Sequence, residues 1–260
     1  MNESEIRDYL EEKTQQYMNR AFIDDDPISV PHHFQKPGDI ECAGFITATM
    51  AWGNRKSILK NAHAIFNKMD NQPFDYIKNY NKQEQNYWKK QGSLHRTLQG
   101  ADLDFLIRGL QEILQEHGTL EPAFLSPSGE AIEGIIAFRS RMLKTKHQTR
   151  SLKHLGDALS GSACKRINMF LRWMVREKKS GVDFGLWKKI KPSALSIPLD
   201  VHSGNTARML GILQRRQNDI KAVHELDKIL RKFDVQDPVK YDFALFGIGV
   251  YEPGLQIPRT

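Results

Sequence analysis

Two segments of this chain carry residues whose types and order could do chemistry. The first, LSGSACKRIN at residues 159–168, is a small-residue turn that breaks into a basic amphipathic helix, KRINMFLRWMVRE. A tight turn at a helix N-terminus exposes backbone N–H groups, and together with the helix dipole these bind a phosphate without reading bases. The second segment, SIPLDVHSGNTARML at residues 196–210, is a proline-bounded turn that presents Asp200 at the start of an apolar-periodic helix. An aspartate in that place is by default the N-cap of its helix. Other clusters are incomplete. His32 and His33 beside Asp24, Asp25 and Asp26 have no third ligand at helical or loop spacing, and Asp200-x-His202 is only part of a metal motif. Neither metal nor cofactor is expected, and loop hydrogen bonding accounts for the histidine pair.

The charge distribution bears on the same region. Across 260 residues there are 38 Lys+Arg against 31 Asp+Glu. Residues 139–191 alone hold 15 basic and 3 acidic residues, so the whole excess lies in this block. Either it forms a phosphate-binding face, or it is a solvated lysine-rich face balanced in three dimensions by the acidic N-terminal half. Composition excludes other classes. With 40% hydrophobic residues the chain is globular rather than disordered. Cys42 and Cys164 stand alone, which excludes a zinc ribbon, a cysteine-ligated cluster and a disulfide scaffold, and two buried structural thiols are expected. No apolar run approaches the ~20 residues of a bilayer helix, and the polar start MNESEIRDYLEEKTQQ is unlike a signal peptide. No membrane association is expected, and the compartment is expected to be the cytoplasm.

The elements that must position these residues read as helix after helix. Amphipathic or buried helical patterns run over 2–20, 40–52, 55–69, 102–116, 129–143, 162–177 and 219–233. Residues 24–39 pack three prolines and a run of acids into a loop, and Asp39 can cap the helix that follows it. The run Phe243–Val250 fits a strand or a buried helix equally well. The fold class is all-α.

Taken together, the two segments resemble the helix-hairpin-helix DNA glycosylase superfamily. Its hairpin reads approximately L-P-G-V-G-x-K, and Leu159, Gly161 and Lys165 fall on it without a gap, while Ser160 and Ala163 replace the proline and the second glycine. Downstream the family has P-V-D-x-H opening a helix, which Pro198, Leu199, Asp200, Val201 and His202 resemble closely. The long spacing between the two motifs is most similar to the archaeal 8-oxoguanine DNA glycosylase/lyase type. The tail KYDFALFGIGVY, residues 240–251, is similar to a helix near the end of the same core. The chain also resembles an uncharacterised bacterial family of conserved hypothetical proteins, which implies no activity of its own.

The glycosylase resemblance implies a two-lobed all-α architecture, with residues 39–195 as the lobe ending in the hairpin and 1–38 packing with 196–260 in the other. It implies base-excision repair of a damaged base, an oxidised purine among the candidates. Lys165 would be the nucleophile that forms a Schiff base at an abasic sugar, and Asp200 the carboxylate that stabilises the developing sugar cation. Ser160, Gly161, Ala163, Arg166, Lys188, Lys189 and His202 would contact DNA. Asn54 and Arg55 would form the base-displacing wedge, and Trp52, Phe170, Trp173 and Trp187 are candidates for the base pocket. A non-catalytic helix-hairpin-helix protein that recognises DNA or RNA structure is the alternative from a different class.

Overall fold

The computed structural model describes residues 1–177 and 180–252. Among these the helices are α1 (Glu3–Tyr17), α2 (Ser29–His32), α3 (Pro37–Met50), α4 (Arg55–Lys68), α5 (Pro73–Lys78) and α6 (Lys82–Lys90). They are followed by α7 (Gly100–His117), α8 (Ala131–Met142), α9 (Lys165–Val175), α10 (Val201–Met209), α11 (Ile220–Phe233) and α12 (Tyr241–Tyr251). One small antiparallel hairpin, β1 (Ser93–His95) with β2 (Leu98–Gln99), interrupts the helices. The class is all-α, as expected. Among the described residues no helix is long and apolar enough to cross a membrane.

The chain divides into two compact units, residues 1–22 with 157–260, and residues 23–156. These bounds differ from the expected lobes, because segments 23–38 and 157–195 fall on the other side of the division. The reason for the second shift lies in α9, where Arg172 and the C-cap Arg176 pair with Asp242 and Asp237 at and near α12. Those pairs tie the hairpin segment to the C-terminal helices.

In the first unit the core is built by Leu10 of α1, Ile197, Leu199, Leu226 and Leu230 of α11, and Tyr241, Leu245 and Ile248 of α12. The helix α12 is the centre of the packing, with α1 and α10 laid against it. Gly249 makes the second approach possible, since a Cβ there would stand 3.0 Å from the His202 carbonyl oxygen and 3.0 Å from the Thr206 hydroxyl. The run Phe243–Val250, ambiguous in sequence, is therefore a helix whose length and glycines serve close helix contacts.

In the second unit α3 is buried from Asp39 to Met50, as its all-round apolar sequence predicts. Asp39 is not its cap. Pro37 starts the helix one turn earlier, and the buried Asp39 carboxylate accepts the Phe74 amide at the head of α5 at 3.0 Å. Helices α5 and α6 escape the sequence reading because they are short and bury only Pro73 and Ile77 in the one and Trp88 in the other. Asp102 in α7 is wholly buried and accepts the Ser151 hydroxyl at 2.7 Å and the Gln99 amide at 2.8 Å, with Arg150 Nη1 at 2.5 Å and His154 Nε2 at 3.3 Å. Cys42 and Cys164 are both buried, as expected of structural thiols.

Candidate functional site

The hairpin and the PLDVH segment meet in the first unit. Gly161 (φ +93°) and Cys164 (φ +49°) are both in the left-handed region, so the chain reverses sharply before α9 begins at Lys165. The Gly161 carbonyl accepts the Ile220 amide at 3.0 Å, which fixes the hairpin to the start of α11. On the other side Asp200 is the N-cap of α10, its Oδ1 accepting the Ser203 amide at 3.0 Å. Asn218 Nδ2 donates to the Asp200 carbonyl at 2.8 Å, and Arg208 in turn donates to Asn218 Oδ1 at 2.5 Å. Asp200 is thus held at main chain and side chain.

These two anchored turns bring Lys165 Nζ to 3.7 Å from Asp200 Oδ2, with the side chains 29% and 20% exposed. One carboxylate oxygen is committed to the cap and the other faces the amine. The pair is partly open to solvent, so a ligand could reach both groups. The capping reading of Asp200 and the reading that pairs it with Lys165 are compatible, since they use different oxygens.

A second carboxylate, which the sequence reading did not single out, lies behind the first. Asp242 of α12 is buried, and its Oδ1 accepts the Ser203 hydroxyl at 3.3 Å while Arg172 of α9 donates to Oδ2. Burial pushes the Asp242 carboxyl up to about 6; Arg172 and Lys165 work against that shift and Asp200 adds to it. Beyond it the charges continue inward: Arg172 Nε faces Asp183 Oδ1 at 3.4 Å, Arg176 Nη1 meets Asp183 Oδ2 at 2.5 Å, and Arg176 holds Asp237 through Nε and Nη2. A signal for Asp242 does exist in the sequence, since it is the one acid inside the otherwise apolar run 241–251.

The other expected contacts fare unevenly. Asp157 receives the Ser160 amide at 3.2 Å on Oδ1 and the Ser160 hydroxyl at 3.0 Å on Oδ2, and its carbonyl accepts the Ser162 amide at 2.9 Å. The amide expected to meet a phosphate is therefore turned onto a carboxylate. Ala163 is buried, with its carbonyl accepting Asn168 Nδ2 at 3.1 Å. The Cys164 side chain makes no capping hydrogen bond to the first turn of α9. Arg166 is half-buried, and burial lowers its guanidinium from the usual value. Lys188 and Lys189 are exposed, as is His202, whose ring lies 5.9 Å from that of Phe246.

Three of the base-pocket candidates are corrected. Phe170 and Trp173 are fully buried and Trp187 is 3% exposed, with Phe170 and Trp187 packed edge to face at 5.3 Å. They fill the core of this unit and leave no face for a base. The remaining candidates belong to the 23–156 unit. There the Arg96 guanidinium lies 4.6 Å over the half-buried Trp52 ring, Asn54 caps α4 by accepting the Ser57 amide at 3.1 Å, and Arg55 is in the first turn. Asn54 is exposed at a turn made by Gly53 (φ +97°).

A family profile for proteins of unknown function, DUF2400, matches residues 26–251. The chain belongs to the DUF2400 family. That match spans the hairpin, Lys165, Asp200 and Asp242 alike, so the whole site lies within the family's extent. No curated protein and no solved structure matches this DUF2400 chain.

Proposed function

We propose that this DUF2400 protein is a DNA base-excision glycosylase with abasic-site lyase activity, of two-lobed helix-hairpin-helix type, acting on a damaged base. The observation that supports this reading is the approach of Lys165 Nζ to Asp200 Oδ2 at 3.7 Å, from two motifs 35 residues apart, at a partly open position. An amine and a fixed carboxylate beside one sugar suit the chemistry. As the C1′–N bond breaks, its electron pair leaves on the base, which takes a proton from solvent. The Asp200 carboxylate stabilises the positive charge that develops on the sugar. The unprotonated Lys165 amine bonds to C1′ and gives up its remaining protons. Protonation of O4′ opens the ring and leaves an imine, and loss of a C2′ proton expels the 3′ phosphate.

Borohydride trapping tests this directly, because reduction turns the imine into a stable protein–DNA crosslink. With duplexes containing 8-oxoguanine or an abasic site, the expected result is a crosslink with wild type and none with Lys165→Gln. Trapping that persists in Lys165→Gln makes another amine the nucleophile. Binding without excision or trapping on any lesion would replace this reading with the non-catalytic nucleic-acid-binding module.

A further inference from the structure

We infer that Asp242 is a positioning residue of the Lys165–Asp200 site, linked to Asp200 through Ser203, and that it is the carboxyl on which the site stores a proton. The linkage is geometric. Ser203 donates its amide to Asp200 Oδ1 at 3.0 Å and its hydroxyl to Asp242 Oδ1 at 3.3 Å, so a single residue bridges the two acids. Any change at Asp242 reaches Asp200 through the first turn of α10.

Charge counting within the buried chain of ion pairs selects the proton's place. Two guanidiniums, Arg172 and Arg176, serve three carboxylates, Asp183, Asp237 and Asp242. Asp183 is met by both guanidiniums, and Asp237 by three donated hydrogen bonds from Arg176 at a 30% exposed position. Asp242 is left with a share of Arg172 and a neutral hydroxyl, and it also feels the Asp200 charge. Among buried carboxyls the least compensated one is the one that protonates first. Among the described residues, Lys165 adds a partial compensation, which the Asp200 charge opposes. From α9 the acting groups are Arg172 and Lys165, and from the head of α10 it is Asp200. On α1, Glu11 pairs with Lys240, while Lys13 and Tyr17 both engage Glu252, at the two ends of α12. His202 turns to the Gly249 carbonyl.

The consequence for the site is reciprocal. Protonated Asp242 leaves one negative charge facing the Lys165 amine, and ionised Asp242 leaves two. The charge state of Asp242 therefore sets the field in which the Lys165–Asp200 pair works. The role in turnover rests on the glycosylase/lyase reading, whereas the coupling does not.

The test is a carbon-13 NMR titration of the aspartate carboxyls in the DNA-free protein, with Asp242 assigned through its backbone connectivity. A midpoint near pH 6 is expected, falling in Asp200→Asn, where a like charge is removed, and rising in Lys165→Gln, where a cation is removed. A midpoint in the ordinary carboxylate range, or one that neither substitution moves, overturns the inference. Trapping on abasic DNA across pH 5–8 adds the catalytic readout. The wild-type profile is expected to bend near pH 6 and the Asp242→Asn profile to lack that bend, while a bend that persists in Asp242→Asn assigns it elsewhere and overturns the catalytic role. If wild type never traps, the glycosylase reading fails and the carboxyl titration still decides the coupling.

Discussion

At the scale of the residue, Asp200 carries two duties that substitution separates. Asparagine caps a helix about as well as aspartate, so Asp200→Asn keeps the bond from the Ser203 amide and removes only the charge. Asp200→Ala removes both. In a base-excision assay Asp200→Asn is expected to lower the rate by roughly 10²–10³, the scale for losing one electrostatic stabiliser of a transition state, with little change in melting temperature. Asp200→Ala is expected to lose the same activity and about 1 kcal/mol of stability besides, read by denaturant titration. Equal activity in wild type and Asp200→Asn would leave this residue with the cap alone. Lys165 and Asp200 were legible in sequence because each sits in a short motif with its own turn chemistry. Ser203 and Asp157 were not, because a serine or an aspartate in a turn has many partners to choose from and only the folded backbone selects one. Phe170, Trp173 and Trp187 misled for the opposite reason. An aromatic beside a motif is far more often core than ligand contact, and here burial took all three.

At the scale of the element, the site depends on how closely α10 lies against α12. Helix periodicity identified most of the long helices, including α7 and α11, whose apolar stripes repeat over several turns. It did not reveal α5 or α6, since a short helix with one or two buried residues has no stripe to read. Nor could periodicity show which helices touch. That information sits in single residues such as Gly249, where an added methyl group would press on the His202 carbonyl and the Thr206 hydroxyl at 3.0 Å. Gly249→Ala is expected to cost about 1–3 kcal/mol by forcing α10 outward, the range for overpacking a close contact. Because α10 carries Asp200 on its cap, the displacement should also lower the trapping rate below that of wild type. A Gly249→Ala protein of wild-type stability and wild-type trapping rate would show that the contact has slack and that α10 is not held by it.

At the scale of the whole molecule, the basic block 139–191 was legible as a count but not as a surface. The division of the chain splits it, with 139–156 in one unit and 157–191 in the other. Several of its cations are also consumed internally: Arg141 pairs with Glu116, Arg150 with Asp102, Arg172 with Asp242 and Arg176 with Asp237. Sequence cannot register such pairing, because the partners lie between 25 and 70 residues away. The spent charges instead appear in the acid response, where two buried aspartates act with opposite sign. Burial pushes the Asp102 carboxyl up, yet His154, Ser151 and the Gln99 amide together hold it well below the usual carboxylate range. Its folded-state value is below its unfolded one, so its stabilisation is present above about pH 4 and is lost as the pH falls below that. Asp242 has a folded-state value raised by burial to about 6, so the folded state binds its proton more tightly than the unfolded chain does. Stability from this group is greatest below about pH 4 and is lost as the pH rises to about 6, by roughly 3 kcal/mol. The two variants should therefore diverge when their urea midpoints are compared with wild type across pH 3–7. The deficit of Asp102→Asn is expected to shrink on acidification. That of Asp242→Asn is expected to shrink as the pH is raised, because asparagine copies the protonated acid and escapes the cost of a buried charge. Parallel deficits at every pH would mean that neither carboxyl changes its ionisation on folding, and would remove the electrostatic basis for placing a stored proton behind the Lys165–Asp200 pair.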